Sequence, residues 1–527
     1  MAHVAFTAPH YAAAEIAQKF LFQGASAVDA MISASAAISV LYPHMNSLAG
    51  DGFWLIQYPG EAPLAIDACG TAASMADIDW YKHKDCPEIP SRGGLAAVCM
   101  GGTLDGWRVA RSISEAHGQK LRPLDELLSP AILFANEGVG VTHSLQTASE
   151  KVQPDLKDFA DYQSVFCPGG RTLKKGDLIK NPGLGKFLGT IATDGVDSFF
   201  NGILAENLTD WLEYCGSPLR KTDFSSYRAS QVKPLSVKIS DATLFNLPAP
   251  TQGIASLLIL AIYDILNERR PAQTEAEQIH YLVEATKQAF LIRDRELTDP
   301  SRLSPAWDSL LEPESIADLV DQVNTEQAMP WPKVSEPGDT VWMGCLDDSG
   351  CMVSFIQSVY WEFGSGLVHP DYGLVWNNRG MSFSLDREHP NSLAPNMKPF
   401  HTLNPAMAIF DDGRRLSYGT MGGEGQPQTQ AAVFSRYARQ GYNLGSAIAR
   451  GRWLLGRTWG DQSQDLKLEE DLYSEVGADL IARGHQISQV PEKTELMGHA
   501  GAVLLNPDGS VTAATDPRSD GRAHVSE

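Results

Sequence analysis

The feature that most limits the fold is a change of texture near residue 340. Before it, the Ala-rich stretch 11–41, broken at Gly24, and the segments 102–117, 123–137, 144–159, 204–214 and 275–295 carry apolar residues at helical spacing. One strand-like run interrupts them, Phe53-Trp54-Leu55-Ile56, entered through Asp51-Gly52 as a turn. After residue 340, Val341–Cys345, Cys351–Val359 and Leu374–Asn377 are rich in residues suited to a pleated, half-buried surface, and Asp347-Asp348-Ser349-Gly350 supplies a hairpin turn. Ala406–Phe410 and Ser417–Thr420 repeat the pattern around Asp411-Asp412-Gly413, ahead of a helix over 430–440. The expectation is a mostly helical first part and a sheet-built second part with helices packed outside. At 527 residues, with no repeat or low-complexity linker, the chain fits two intertwined lobes or one large layered domain.

Charge narrows the partners. Lys+Arg number 42 against 64 Asp+Glu, a net charge of −22. Such a field repels nucleic acid and anionic membrane, and an anionic substrate needs a local cationic pocket. The start, Met1-Ala2-His3-Val4-Ala5-Phe6, lacks a basic run followed by an apolar core, so a cytoplasmic protein is expected. Ile254–Ile265 is the most apolar stretch, but Ser256 and Asp264 within it read as part of a buried helix. Seven cysteines without CxxC spacing and 13 dispersed histidines give no disulfide framework and no metal site, and no cofactor is expected. Gly183-Leu184-Gly185-Lys186-Phe187 lacks the upstream glycine and the hydroxyl of a phosphate loop. Pro234, directly after Ser230-Gln231-Val232-Lys233, stops the helix that an SxxK pair requires.

The positive signal starts at Gly338-Asp339-Thr340-Val341-Trp342, a turn-forming dipeptide and a threonine that opens a strand. Alone this is commonplace, because β-branched residues favour strand starts. Then come Ser358-Val359-Tyr360-Trp361-Glu362-Phe363-Gly364, Leu374-Val375-Trp376-Asn377-Asn378-Arg379, Lys398-Pro399-Phe400-His401-Thr402-Leu403-Asn404-Pro405 and Gly419-Thr420-Met421-Gly422-Gly423. In that order and spacing the set resembles the small subunit of γ-glutamyltransferases. Ser26-Ala27-Val28-Asp29-Ala30, Pro248-Ala249-Pro250-Thr251-Gln252-Gly253 and Ala514-Thr515-Asp516-Pro517-Arg518-Ser519 are similar to landmarks of the same superfamily. The resemblance implies an α/β fold, the four-layer αββα sandwich of N-terminal-nucleophile hydrolases. It also implies self-cleavage between Asp339 and Thr340, giving a large subunit 1–339 and a small subunit 340–527 that stay together as a heterodimer in one intertwined domain. Further oligomerisation is left open.

The chemistry of such a cut is independent of family. A threonine hydroxyl needs a base beside it, and an α-amine titrates near 7.7–8.0, far closer to neutrality than lysine. Cleavage puts hydroxyl and amine on one residue, Thr340. The resemblance places Ser358 near that nucleophile and makes the N–H groups of Gly422 and Gly423 the oxyanion hole. Departures from the family pattern bear on the substrate. Cys69 stands where an arginine grips a glutamyl carboxylate, Ser382 replaces the acid that holds the amino group, and Tyr360 replaces an asparagine beside the nucleophile. Arg379 occupies a position usually held by a neutral amide, and its guanidinium can bind a carboxylate through two parallel hydrogen bonds. His401-Thr402, in place of adjacent serines, offers further donors. These changes favour a small anionic amide without a free amino group, which among superfamily members points to hydrolysis of oxamate to oxalate and ammonia in purine nitrogen breakdown. The alternatives are a glutathione hydrolase or γ-glutamyltransferase-like enzyme, an acylase for acidic side chains, or an uncleaved pseudoenzyme that only binds a metabolite.

Overall fold

A computed structural model describes residues 3–331, 339–456 and 463–526. Gly338 lies outside the described residues. Two antiparallel sheets dominate. The first has seven strands in the order Arg522–Val525, Ala5–Ala8, Asp339–Leu346, Met352–Tyr360, Asp51–Gln57, Leu64–Ala68 and Ser230–Val232. The second has six, in the order Val511–Thr515, Ala500–Leu505, Arg415–Thr420, Ala406–Phe410, Ala242–Asn246 and Leu235–Ile239.

The layering follows from strand alternation. Side chains on a strand point alternately to opposite faces, so a strand covered on both sides sends its apolar residues into two cores. Phe53 and Leu55 enter the core between the sheets, with Trp342, Ile356, Phe245, Met407 and Val503. Their neighbours Trp54 and Ile56 enter an outer core shared with the helices Tyr11–Phe22, Ala27–Leu41 and Thr103–Ala116. On the far side Ala406, Ala408, Ala502 and Leu504 face the helices Gly253–Arg269, Glu275–Glu296 and Gln426–Ala438. The result is the expected αββα sandwich. No helix among the described residues is long and apolar enough to cross a membrane.

One packing device fixes the register of the Asp339–Leu346 strand. Trp342 crosses from the first sheet to the second and lies over Gly419 and Gly501, which are direct cross-strand partners there. A Cβ at Gly419 would stand 2.3 Å from the indole, and one at Gly501 2.6 Å, so only glycine leaves the slot open. The indole N–H donates to Ser354 Oγ at 2.9 Å.

Two expectations change. Leu374–Asn377 forms no strand; Val375 and Trp376 make only isolated bridges to Val368 and Ala49. Asp51-Gly52 is the beginning of the Asp51–Gln57 strand and not a turn. The first part is mostly helical, as expected, but it also supplies four strands to the first sheet, where they interleave with strands from after residue 340, and two at one edge of the second. Short strands such as Ala5–Ala8 and Ser230–Val232 give too few alternations to be recognised by period.

Candidate active site

Thr340 opens its strand where the partner strand becomes irregular. Pairing is regular from Met352–Leu346 to Gln357–Val341, then jumps to Tyr360–Asp339, so Ser358 and Val359 bulge opposite Thr340. Bulges re-aim side chains and are frequent beside active sites. Here the chain reaches Tyr360 at φ 83°, a conformation that a non-glycine residue keeps only under constraint. The constraint is a set of hydrogen bonds: Tyr360 N–H donates to Ser358 Oγ at 2.7 Å, Asn378 N–H to Val359 O at 3.2 Å, and Trp361 N–H to Asn378 Oδ1 at 3.1 Å.

Thr340 is fully buried, and Gln426 Nε2 donates to its Oγ1 at 3.3 Å. Gln426 begins the Gln426–Ala438 helix just after Gly422 and Gly423, whose φ angles of 122° and 53° suit glycine. Through Gln426 the hydroxyl is tied to the positive end of a helix dipole, on the helix that directly follows the glycine pair.

Arg379 lies in the short 3-10 turn Arg379–Ser382 and is 1% exposed, a buried cation. Its guanidinium sits 3.9 Å above the Tyr360 ring. Nη1 reaches Thr402 Oγ1 at 3.4 Å, and Nε stands 3.9 Å from Asp51 Oδ2, beyond hydrogen-bond range. Nε and Nη2 have no hydrogen-bond partner among the described residues. Those two nitrogens form one edge of the guanidinium. Elsewhere in the chain Arg108 uses the same edge to grip both oxygens of Asp105, at 2.6 and 3.0 Å. Burial pulls the Arg379 pKa down, and the nearby Tyr360 and Asp51 work against that shift.

Beside Arg379 sits a buried cluster built around Asp51, a residue that the sequence marked only as part of a turn. Asp51 Oδ1 accepts from Gly70 N–H at 2.7 Å and Oδ2 contacts His401 Nε2 at 2.9 Å. Leu403 N–H donates to His401 Nδ1 at 3.2 Å, so the ring proton is on Nε2 and points to Asp51. Burial, reinforced by the Arg379 charge, keeps the His401 pKa well below the usual range, so the ring is neutral. Both ring nitrogens are thus engaged, and the expectation that His401 donates to substrate is replaced by a role in holding Asp51. Burial raises Asp51 to about 7, with Arg379 opposing. Burial and then Asp51 keep Cys69 a thiol, its Sγ 3.4 Å from Gly70 O. Ser382 Oγ is buried without a hydrogen-bond partner among the described residues and borders the cleft outside.

Gln252 joins the two halves of the site. Its Nε2 donates to Thr402 O at 2.7 Å and Gly423 O at 2.9 Å, while Oε1 accepts from Arg293 at 3.1 Å. Two triads bring ligating atoms within 4.8 Å of one another: Asp51, Cys69, His401 and His280, Glu284, His485. The Arg379 cation lies beside the first, and the Lys287 ammonium holds Glu284 at 2.6 Å in the second. Both read as hydrogen-bonded clusters.

Two stacked sheets between helix layers, with a buried hydroxyl residue opening a central strand beside paired glycines, define the N-terminal-nucleophile hydrolase class. Within it, the chain belongs to the gamma-glutamyltranspeptidase family, whose model matches residues 13–526. It is 45% identical to an oxamate amidohydrolase proenzyme of Klebsiella pneumoniae, over 99% of this chain and 98% of that protein. A glutathione hydrolase-like proenzyme of Bacillus subtilis is 33% identical over 98% of this chain and 97% of its own length. Among solved structures, a cephalosporin acylase from Bacillus halodurans superposes with a TM-score of 0.90 at 29% identity, covering 100% of this chain and 96% of that one. The chain is an amidohydrolase of this family.

Proposed function

We propose that the protein cuts itself between Asp339 and Thr340 and then hydrolyses oxamate to oxalate and ammonia. The observation that carries the substrate is the open edge of Arg379: a buried cation with two parallel donors unused is matched by a small carboxylate. The similarity to an oxamate amidohydrolase supports the same reading.

In maturation, Thr340 Oγ attacks the Asp339 carbonyl, the peptide becomes an ester, and water opens it to leave a free amine on Thr340. The fragments 1–339 and 340–527 stay together because both sheets draw strands from each. In turnover, Arg379 holds the oxamate carboxylate and Thr340 Oγ attacks the amide carbon. The N–H groups of Gly422 and Gly423 stabilise the oxyanion, a contribution worth about 10²–10³ in rate per donor. The Thr340 amine takes the hydroxyl proton and passes it to departing ammonia, and water then releases oxalate. Ser358 Oγ, accepting from Tyr360 N–H, braces the bulge opposite Thr340, the Tyr360 ring lies under the cation, and Thr402 steadies the guanidinium.

The test is direct. Purified protein should give two bands on a denaturing gel and release ammonia and oxalate from oxamate. Thr340→Ala should stay full length and inactive; a matured, active Thr340→Ala enzyme refutes the mechanism. Glutamate release from γ-glutamyl-p-nitroanilide in place of oxalate from oxamate refutes the substrate.

A further inference from the structure

A cleft of about 980 Å³ lies directly outside the buried site. Its wall includes the sequence neighbours of four segments that build the site: Trp361 after Tyr360, Met381 and Ser382 after Arg379, Phe400 before His401, and Glu424 after Gly423. Thr340, Arg379, Tyr360 and Thr402 are themselves at most 1% exposed, and none of them lines the cleft. The acyl end of a substrate is therefore enclosed, and open space begins one residue further out. That space is of the size that holds ligands much larger than oxamate.

Which end of the substrate faces the cleft follows from the anchors. With the carboxylate on Arg379 and the carbonyl oxygen at the glycine pair, the amide nitrogen is the one group left to point outward. The cleft wall is also charged. Glu88, Asp294, Asp386 and Glu424 bring four carboxylates to it. The one arginine there, Arg293, contacts Asp294 at 2.8 Å and Glu424 at 2.5 Å, so its charge is offset locally. An acidic wall favours a neutral or cationic group and disfavours an anionic one.

Resting on the function proposed above, we infer that the enzyme's substrates include N-substituted oxamates, RNH–CO–COO⁻, whose R group is neutral or cationic and occupies this cleft. The reaction balances without further reactants. Thr340 Oγ bonds to the carbonyl carbon, the C–N bond breaks, and the hydroxyl proton leaves on RNH₂. Water then cleaves the oxalyl ester, restoring the hydroxyl and yielding RNH₃⁺ and oxalate.

The experiment follows oxalate release by the self-processed enzyme from four compounds: oxamate, N-ethyl oxamate, mono-N-oxalyl-1,2-diaminoethane and N-oxalylglycine. The ethyl and aminoethyl compounds should be hydrolysed with kcat/KM no lower than about one-tenth of that for oxamate, and the aminoethyl compound about tenfold better than N-oxalylglycine. A Glu88→Gln/Asp386→Asn double variant should shrink that last ratio. Hydrolysis of oxamate alone overturns the inference and leaves the proposed function standing. Equal rates for the aminoethyl and glycine compounds overturn the charge preference. Oxalate from none of the four overturns the proposed function itself.

Discussion

Two guanidinium groups lie equally deep in this molecule and are surrounded in opposite ways. Arg518 lies beyond the second sheet with all three nitrogens bonded: Nε and Nη2 grip both oxygens of Glu469, Nη1 meets Asp516 at 3.1 Å, and backbone carbonyls of Ile448 and Arg450 accept the rest. Arg379 is buried to the same degree but offers the same Nε and Nη2 edge to no acceptor among the described residues. A chain that buries a cation for structure fills its fork with carboxylates. A chain that leaves the fork empty, with an aromatic ring beneath it, keeps a place for an anion from outside.

The sharpest way to break this contrast is to remove each cation in turn. Arg518→Met strands Glu469 and Asp516 in the interior and should cost about 3–5 kcal/mol, read as a large fall in Tm or loss of soluble protein. Arg379→Met strands no fully committed partner, so its Tm should equal or exceed that of wild type, while kcat/KM for oxamate falls about 10²–10³-fold, mostly through KM, with self-cleavage intact. A fall in Tm for Arg379→Met matching that of Arg518→Met would erase the distinction. Arg379→Lys sharpens it: the charge stays but the fork is lost, and KM should rise about tenfold. The smallest effect concerns pH. Asp51 ionises with a midpoint of about 7, and its carboxylate then offsets the Arg379 charge. A bound anion raises that midpoint further, so binding takes up a proton and tightens as pH falls through about 7. KM for oxamate should therefore rise a fewfold from pH 6 to 8, and Asp51→Asn should flatten that rise.

The same contrast explains what could be read from sequence. Local patterns carried well: the strands around Asp347–Gly350 pair as a hairpin, with Gly350 N–H on Asp347 O at 3.0 Å, and the helices over 102–117 and 275–295 form within a residue or two of their expected bounds. Arg379 stood out because it departs from a pattern. Asp51 and Gln426 did not, because each acts through contacts hundreds or scores of residues away, to His401 and to Thr340. The seven-stranded sheet pairs Ala5–Ala8 with both Arg522–Val525 and Asp339–Leu346, and a period-2 pattern names no partner. For the same reason Leu374–Asn377, apolar and aromatic enough for a strand, instead packs Trp376 into the outer core of the first sheet, its indole N–H on Cys99 O at 3.1 Å.

The Trp342 indole acts as a dowel driven through both sheets two residues past the threonine hydroxyl. A strand held this way cannot creep along its neighbours, since any slip would have to drag the ring out of a notch only two hydrogens wide. The aim of that hydroxyl is therefore set from downstream, and severing the bond on its upstream side leaves the aim unchanged.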